Sequence, residues 1–155
     1  MISDSLLQGV YLFKELNVDE RTSLSRVAQE MNLPAGFPIF RAGDPATALY
    51  LIKDGSVRIV VTAANGESID VATLGSGSHF GEMALIDGAK RSASADTLEP
   101  THMFRFDYDK ITALLEGSPA TAARLYRSMA RFLSNRLRQT TTDMSFAREK
   151  NLRYF

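Results

Sequence analysis

The residues with the most chemistry to offer lie in one stretch, Phe80-Gly81-Glu82-Met83-Ala84-Leu85-Ile86-Asp87-Gly88-Ala89-Lys90-Arg91-Ser92-Ala93. A glycine is followed at once by a short helix-forming run, and a helix start presents unpaired N–H groups and the positive end of the dipole, which favour an anion. Gly81 carries no side chain, so a ligand can approach the backbone there. Nine residues after Glu82 comes Arg91, whose planar guanidinium can hold a phosphate by two parallel hydrogen bonds, with the Ser92 hydroxyl as a third donor. A carboxylate only accepts hydrogen bonds, so Glu82 suits a hydroxyl on the same ligand, and a ribose 2′-OH lies at about that reach. The implied ligand carries both a sugar hydroxyl and a phosphate.

These residues need a frame, and the pattern around them supplies one. Leu24, Val27, Ala28 and Met31 fall at i, i+3, i+4 and i+7, which predicts an amphipathic helix over 19–31 with Asp19 as its cap. From Leu33 to Phe106 the punctuation changes. Eight of the ten glycines lie between Gly36 and Gly88, separating short runs of alternating apolar and polar residues. Val57, Ile59 and Val61 point one way and Arg58 the other, and Asn65-Gly66 makes a tight turn into a strand carrying Ile69 and Val71, so the pair reads as a hairpin. Further strands are expected at Gly36–Phe40, Ala48–Lys53, Ser92–Thr97 and Thr101–Phe106, and this many short antiparallel pieces make a roll or barrel. The helical period then returns. Asp107 caps a short helix through Leu115, and Ser118-Pro119 opens a longer one with the apolar stripe Leu125, Met129, Phe132, Leu133 and Leu137. The fold class is α+β, an antiparallel β-roll between N-terminal helices and a long C-terminal helix.

The segment FGEMALIDGAKRSA resembles the phosphate-binding cassette of cyclic nucleotide-binding domains, of the catabolite activator and protein kinase A regulatory subunit type. The likeness extends upstream through FRAGDPATALYLIKDGSVRIV, which looks like the family's β-roll, and covers roughly residues 8 to 139. The resemblance implies that Glu82 binds the ribose 2′-OH, that Arg91 binds the cyclic phosphate with help from Ser92, and that Gly81, Ala84 and Leu85 donate backbone N–H groups, with Met83 inside the same segment. Val71 and Ala72 fall where the family's base-lining strand lies. Asn135, Arg136 and Leu137 fall near the capping positions of the helix that closes over the base, with Arg131 or Phe132 taking that place if the register slips by one turn. Of these, Arg136 is counted among the ligand-binding residues. The ligand implied is cAMP, with cGMP and cyclic dinucleotides as alternatives.

About sixteen residues follow Gln139, so the expectation is a domain over 1–139 and a basic tail over 140–155, with no helix-turn-helix, kinase or channel segment and an effector that is not identified. Residues 1–119 hold 10 Lys/Arg against 16 Asp/Glu, a balance of −6, whereas residues 120–155 hold 8 against 2, a balance of +6. This basic arm could attract nucleic acid or anionic lipid, or it could dock. The helix stripe could also pair with the same helix of a second copy, giving a homodimer.

Other chemistries are poorly served. There is no cysteine, and His79 and His102 are too few and too separated for the metal cluster of a cupin-like enzyme, so each reads as a satisfied or exposed imidazole. Gly75-Ser76-Gly77 with Gly81 spells GxGxxxG rather than a dinucleotide fingerprint, and no GK[ST] tripeptide is present. Ser5, Ser92 and Ser94 have no paired base to make a nucleophile. No apolar run reaches the roughly 18 residues of a membrane span, and the first residues lack the charge and cleavage site of a signal peptide. The expectation is a cytoplasmic sensor that is not an enzyme, its rival being a degenerate roll that serves as a protein-interaction module.

Overall fold

A computed structural model describes residues 2–152. Helices α1 (Asp4–Gln8) and α2 (Val18–Val27), with a 3₁₀ turn at Tyr11–Phe13 between them, precede strands β1 (Ala28–Leu33), β2 (Pro38–Phe40), β3 (Ala48–Asp54), β4 (Val57–Thr62), β5 (Ser68–Leu74) and β6 (His79–Phe80). The short helix α3 (Met83–Asp87) follows, then β7 (Ser94–Thr97), β8 (Thr101–Asp107), α4 (Tyr108–Glu116) and α5 (Pro119–Leu152). The strands form two antiparallel four-stranded sheets, ordered β1-β8-β3-β6 and β2-β7-β4-β5, which make the expected roll.

Strand β3 explains why the sheets and helices hold together. Its residues Ala48 to Ile52 are all buried, because it is covered on both faces. Ala48, Tyr50 and Ile52 join Val57, Phe80, Ala95 and Met103 between the sheets. Leu49 and Leu51, with Phe104 and Phe106 of β8, join Leu7, Phe13, Ile111, Leu125 and Met129 on the helical side. Each buried Leu or Phe contributes roughly 1.5–3 kcal/mol, so this second cluster fixes the start of α5 on the roll.

The expected helix over 19–31 is shorter. It ends at Val27, and Ala28–Leu33 is a strand in register with β8 from Ala28↔Phe106 to Leu33↔Thr101. Pairing with a distant strand overrides a spacing that locally reads as helix. The cap is Asn17 rather than Asp19, in a reciprocal box with Glu20. Asp107 stands at the start of α4 without a capping bond, since its carboxylate accepts from Arg105 Nε at 2.8 Å. Along β4, Val57 is core while Ile59 and Val61 turn toward a cavity, and Val60 is buried on the other side of the strand.

Glu20 does a second job. Its carboxylate accepts from Arg124 Nε at 2.9 Å and Nη2 at 2.8 Å, and from the Thr121 hydroxyl, so the cap of α2 also clasps α5. The Arg124 hydrogen bonds hold its carboxyl down to about 2 from an ordinary 4.5. A carboxyl depressed in the folded state stabilises it above the unfolded value and loses that contribution as pH falls through the folded one. Glu20→Gln is therefore expected to cost about 1–2 kcal/mol at pH 7, discounted because Arg124 is part-exposed. The melting temperatures of variant and parent should converge between pH 4.5 and 2. A constant gap across that window refutes the assignment.

Candidate functional site

One side of the roll opens into a cavity of about 300 Å³. Its apolar wall comes from Phe40 and Phe80, from Ile59 and Val61 on β4, and from Val71, Ala72 and Leu74 on β5. Val71 and Ala72 are consecutive yet both reach it. The reason is a bulge: Ile59 pairs with Ala72 and Val60 with Asp70, so β5 carries one extra residue, Val71, at that step.

The polar side begins at Gly81. Its φ of +79° is a left-handed conformation, and a Cβ there would lie 2.8 Å from Arg91 Nη1 and 3.3 Å from the Ala48 carbonyl oxygen. Glycine is required on both counts. The Gly81 carbonyl accepts from Arg91 Nη1 at 3.0 Å and from the Tyr108 hydroxyl, and Arg91 Nη2 donates to the Ala48 carbonyl at 2.6 Å. The guanidinium carbon stands 4.1 Å over the Phe40 ring. The backbone of Arg91 is pinned as well, its N–H donating to Asp44 O at 2.9 Å and its carbonyl accepting from Gly43 N at 2.8 Å. The side chain is thus almost wholly buried, 8% exposed, and its Nε is a buried donor without a partner. Burial raises the Tyr108 hydroxyl above its ordinary value, so it remains a donor to Gly81 at neutral pH.

Glu82 stands at the head of α3, is 3% exposed, and makes no capping bond with its side chain. Its Oε1 is 3.5 Å from His79 Nδ1. A buried acceptor and a buried cation thus line one cavity whose wall on β4 and β5 is apolar, an arrangement suited to a small ligand with one hydroxyl, one anionic group and one flat apolar part.

Met83, Ala84 and Ser92 also line the cavity, as does Arg136, which reaches it from α5 with its guanidinium carbon 5.7 Å from the Phe132 ring. Leu85 does not line it. Its side chain packs on the helical-side core and its N–H donates to Glu82 O at 3.1 Å. Of the other closing candidates, Asn135 donates to the Tyr11 hydroxyl at 3.2 Å, Arg131 pairs with Glu15, Phe132 lies against Tyr11 and His79, and Leu137 is exposed. Phe40 and Tyr108 belong to the site without any local signal in the sequence, since only the fold brings them beside Arg91, and Lys90, the residue before Arg91, also lines the cavity.

The two histidines differ from each other. His102 Nε2 lies 2.5 Å from Glu30 Oε1, and this contact holds the Glu30 carboxyl below its ordinary value. His79 is neither exposed nor hydrogen-bonded, because it is buried between β6 and α5 with both ring nitrogens unpartnered. Among the described residues, no group of three or more His, Cys, Asp or Glu could hold a metal ion, and no helix is long and apolar enough to cross a membrane.

Comparison with known proteins gives a consistent result. The family model described as "Cyclic nucleotide-binding domain" matches residues 30–118. The Cyclic AMP receptor protein of Thermus thermophilus is 34% identical over 148 residues, covering 94% of this chain and 67% of the relative. Among solved structures, the Thermus thermophilus Catabolite Activator Protein superposes with a TM-score of 0.76 at 35% identity, covering 88% of this chain and 62% of that one. The regulatory domain of Toxoplasma gondii PKA with cAMP gives 0.68 at 25% identity, covering 71% and 42%. The chain spans about two-thirds of the length of the Thermus relative it matches.

Proposed function

Since this chain belongs to the cyclic nucleotide-binding domain family, we propose that its cavity takes cAMP and that the protein is a cytoplasmic sensor reporting the nucleotide through α5. The observation that carries this reading is the pairing, in one cavity, of Glu82 with an Arg91 whose buried Nε has no partner. Arg91 holds the cyclic phosphate, Glu82 accepts from the ribose 2′-OH, and Ser92 with the N–H groups of Gly81 and Ala84 completes the anion's surroundings. Val71 and Ala72 face the base, and Arg136 closes over it from α5. Leu85 acts through its side chain: when the phosphate fixes α3, Leu85 and Ile86 repack and α5 follows. The ligand moves α5 only as far as it binds the closed state more tightly than the open one.

The test is calorimetric titration of the chain with cAMP, cGMP and cyclic di-GMP in parallel. Saturable binding of cAMP at one site per chain is expected. Heat with none of the three overturns the reading, leaving the roll as an interaction module.

Selectivity turns on Ser92. In a syn guanine the exocyclic amine lies over the phosphate, where a hydroxyl could accept from it, whereas adenine has no amine at that position. The wall of Val71 and Ala72 presents no guanine-reading group. One net hydrogen bond is worth about 0.5–1.5 kcal/mol, at most about tenfold in affinity, so discrimination should be modest, with cGMP weaker than cAMP but within about tenfold of it. Ser92→Ala is expected to lower both affinities alike if the hydroxyl serves the phosphate. Loss of cGMP affinity alone would assign it to the base, and tighter binding of cGMP than cAMP by the parent would reverse the preference.

A further inference from the structure

Between the cavity and α5 lies a side chain for which the site described above has no use. His79 is 7% exposed, and neither of its ring nitrogens has a hydrogen-bond partner. A buried polar group left in that state costs roughly 1–3 kcal/mol, which an apolar residue at the same place would avoid. Two neighbours account for its presence. The ring lies against Phe132 of α5, with centroids 4.5 Å apart and planes inclined by 57°. On the other side Nδ1 is 3.5 Å from Glu82 Oε1, beyond ordinary hydrogen-bond length but within ion-pair reach. One imidazole therefore touches both the carboxylate of the cavity and the helix beside it.

We propose that His79 is a positioning residue that couples Glu82 to α5. The proposal takes only the identity of the ligand from the cyclic-nucleotide reading. A carboxylate has about four acceptor sites, so Glu82 can accept from His79 Nδ1–H on Oε1 and still offer Oε2 to a ligand hydroxyl. When a ligand orients the carboxylate, the gap to Nδ1 closes and the ring moves with it, altering its contact with Phe132. Because the ring sits between Glu82 and Phe132, α5 is held to the roll through it even without ligand. The other groups around the ring are Leu51, its apolar register partner on β3, and Arg136 beyond Phe132.

The chain has no cysteine, so spin labels at Ala64→Cys and Arg138→Cys, both exposed positions, report the separation of the roll from α5 once labelled chain is diluted with unlabelled chain to suppress distances between copies. His79→Phe keeps a ring against Phe132 and removes the nitrogens. Without ligand, the labelled parent is expected to show a close population about threefold to tenfold larger than that variant, the scale of one hydrogen bond, and the variant should show less than half of the parent's change on adding cAMP. If that variant does not fold, Phe132→Leu with His79 intact should likewise lower the close population. A His79→Phe protein with the parent's ligand-free distribution overturns the coupling. Should cAMP fail to bind the parent, the cyclic-nucleotide reading falls, and the ligand-free comparison still decides the role of His79.

Discussion

Arg91→Ala is expected to weaken cAMP binding by at least about 30-fold, since truncating one partner of a buried charge pair costs roughly 2–5 kcal/mol. The guanidinium also donates to the carbonyls of Ala48 and Gly81, so the variant loses stability as well as a ligand contact. Arg91→Lys separates these effects. It keeps a charge that can reach the phosphate but lacks the fork that ties two carbonyls while leaving Nε for the anion. The expected order of affinity by calorimetry is Arg, then Lys, then Ala, with circular dichroism verifying that each variant is folded at the titration temperature. A folded Arg91→Ala protein that binds cAMP as the parent does removes this cavity as the nucleotide site. Glu82→Gln refines the result, because it should weaken cAMP more than the 2′-deoxy analogue, which offers no hydroxyl for the carboxylate.

The second large effect concerns assembly, which we propose to run through α5. Its apolar stripe begins inside the domain, with Leu125 and Met129 buried, and then leaves it, with Leu137 at 68% exposure. Leu133, Leu137 and Met144 continue at spacings of four and seven, as in the seam between paired helices. Light scattering should give about twice the 17.1 kDa chain mass. Leu137→Glu would place a charge in that seam and is expected to raise the dimer dissociation constant by about 100-fold or more. The same exchange on a solvent-facing position of an unpaired helix changes little, so a parent that remains monomeric at high micromolar concentration refutes the pairing. The helix from Pro119 to Leu152 also carries Arg136, Arg138 and Arg148, which by their spacing would flank the seam without entering it.

What the sequence disclosed, and what it withheld, follows from the range of the forces involved. The order of elements was legible because glycines, tight turns and changes of period act within a few residues. Gly81, Glu82, Arg91 and Ser92 sit close enough in the chain to be read as one unit. Strand β1 was not legible, since Leu24, Val27, Ala28 and Met31 satisfy a helical spacing and only the edge of β8, some 75 residues away, makes Ala28–Leu33 extended. The same holds for Phe40 under the Arg91 guanidinium and for the bulge at Val71, both products of strand pairing across the roll. His79 was misjudged for a related reason. An isolated histidine in a strand gives no sign of which helix will cover it.

The clasp between Glu20 and Arg124 has a mechanical consequence. With Leu125 and Met129 buried just beyond it, the first three turns of α5 are anchored, and the helix is free of the roll's core only after Phe132. That point is a fulcrum. The 20 residues that follow Phe132, through Leu152, form an arm of about 30 Å at 1.5 Å per residue. A tilt of about 10° at the fulcrum displaces the far end by about 5 Å, roughly one helical pitch. The closure proposed between His79 and Glu82 would act at this fulcrum, where His79 meets Phe132, while the readout is taken from the far end of the arm. The gain lies in helix length, so shortening the arm should reduce the amplitude at its tip in proportion, with nucleotide affinity left where it was.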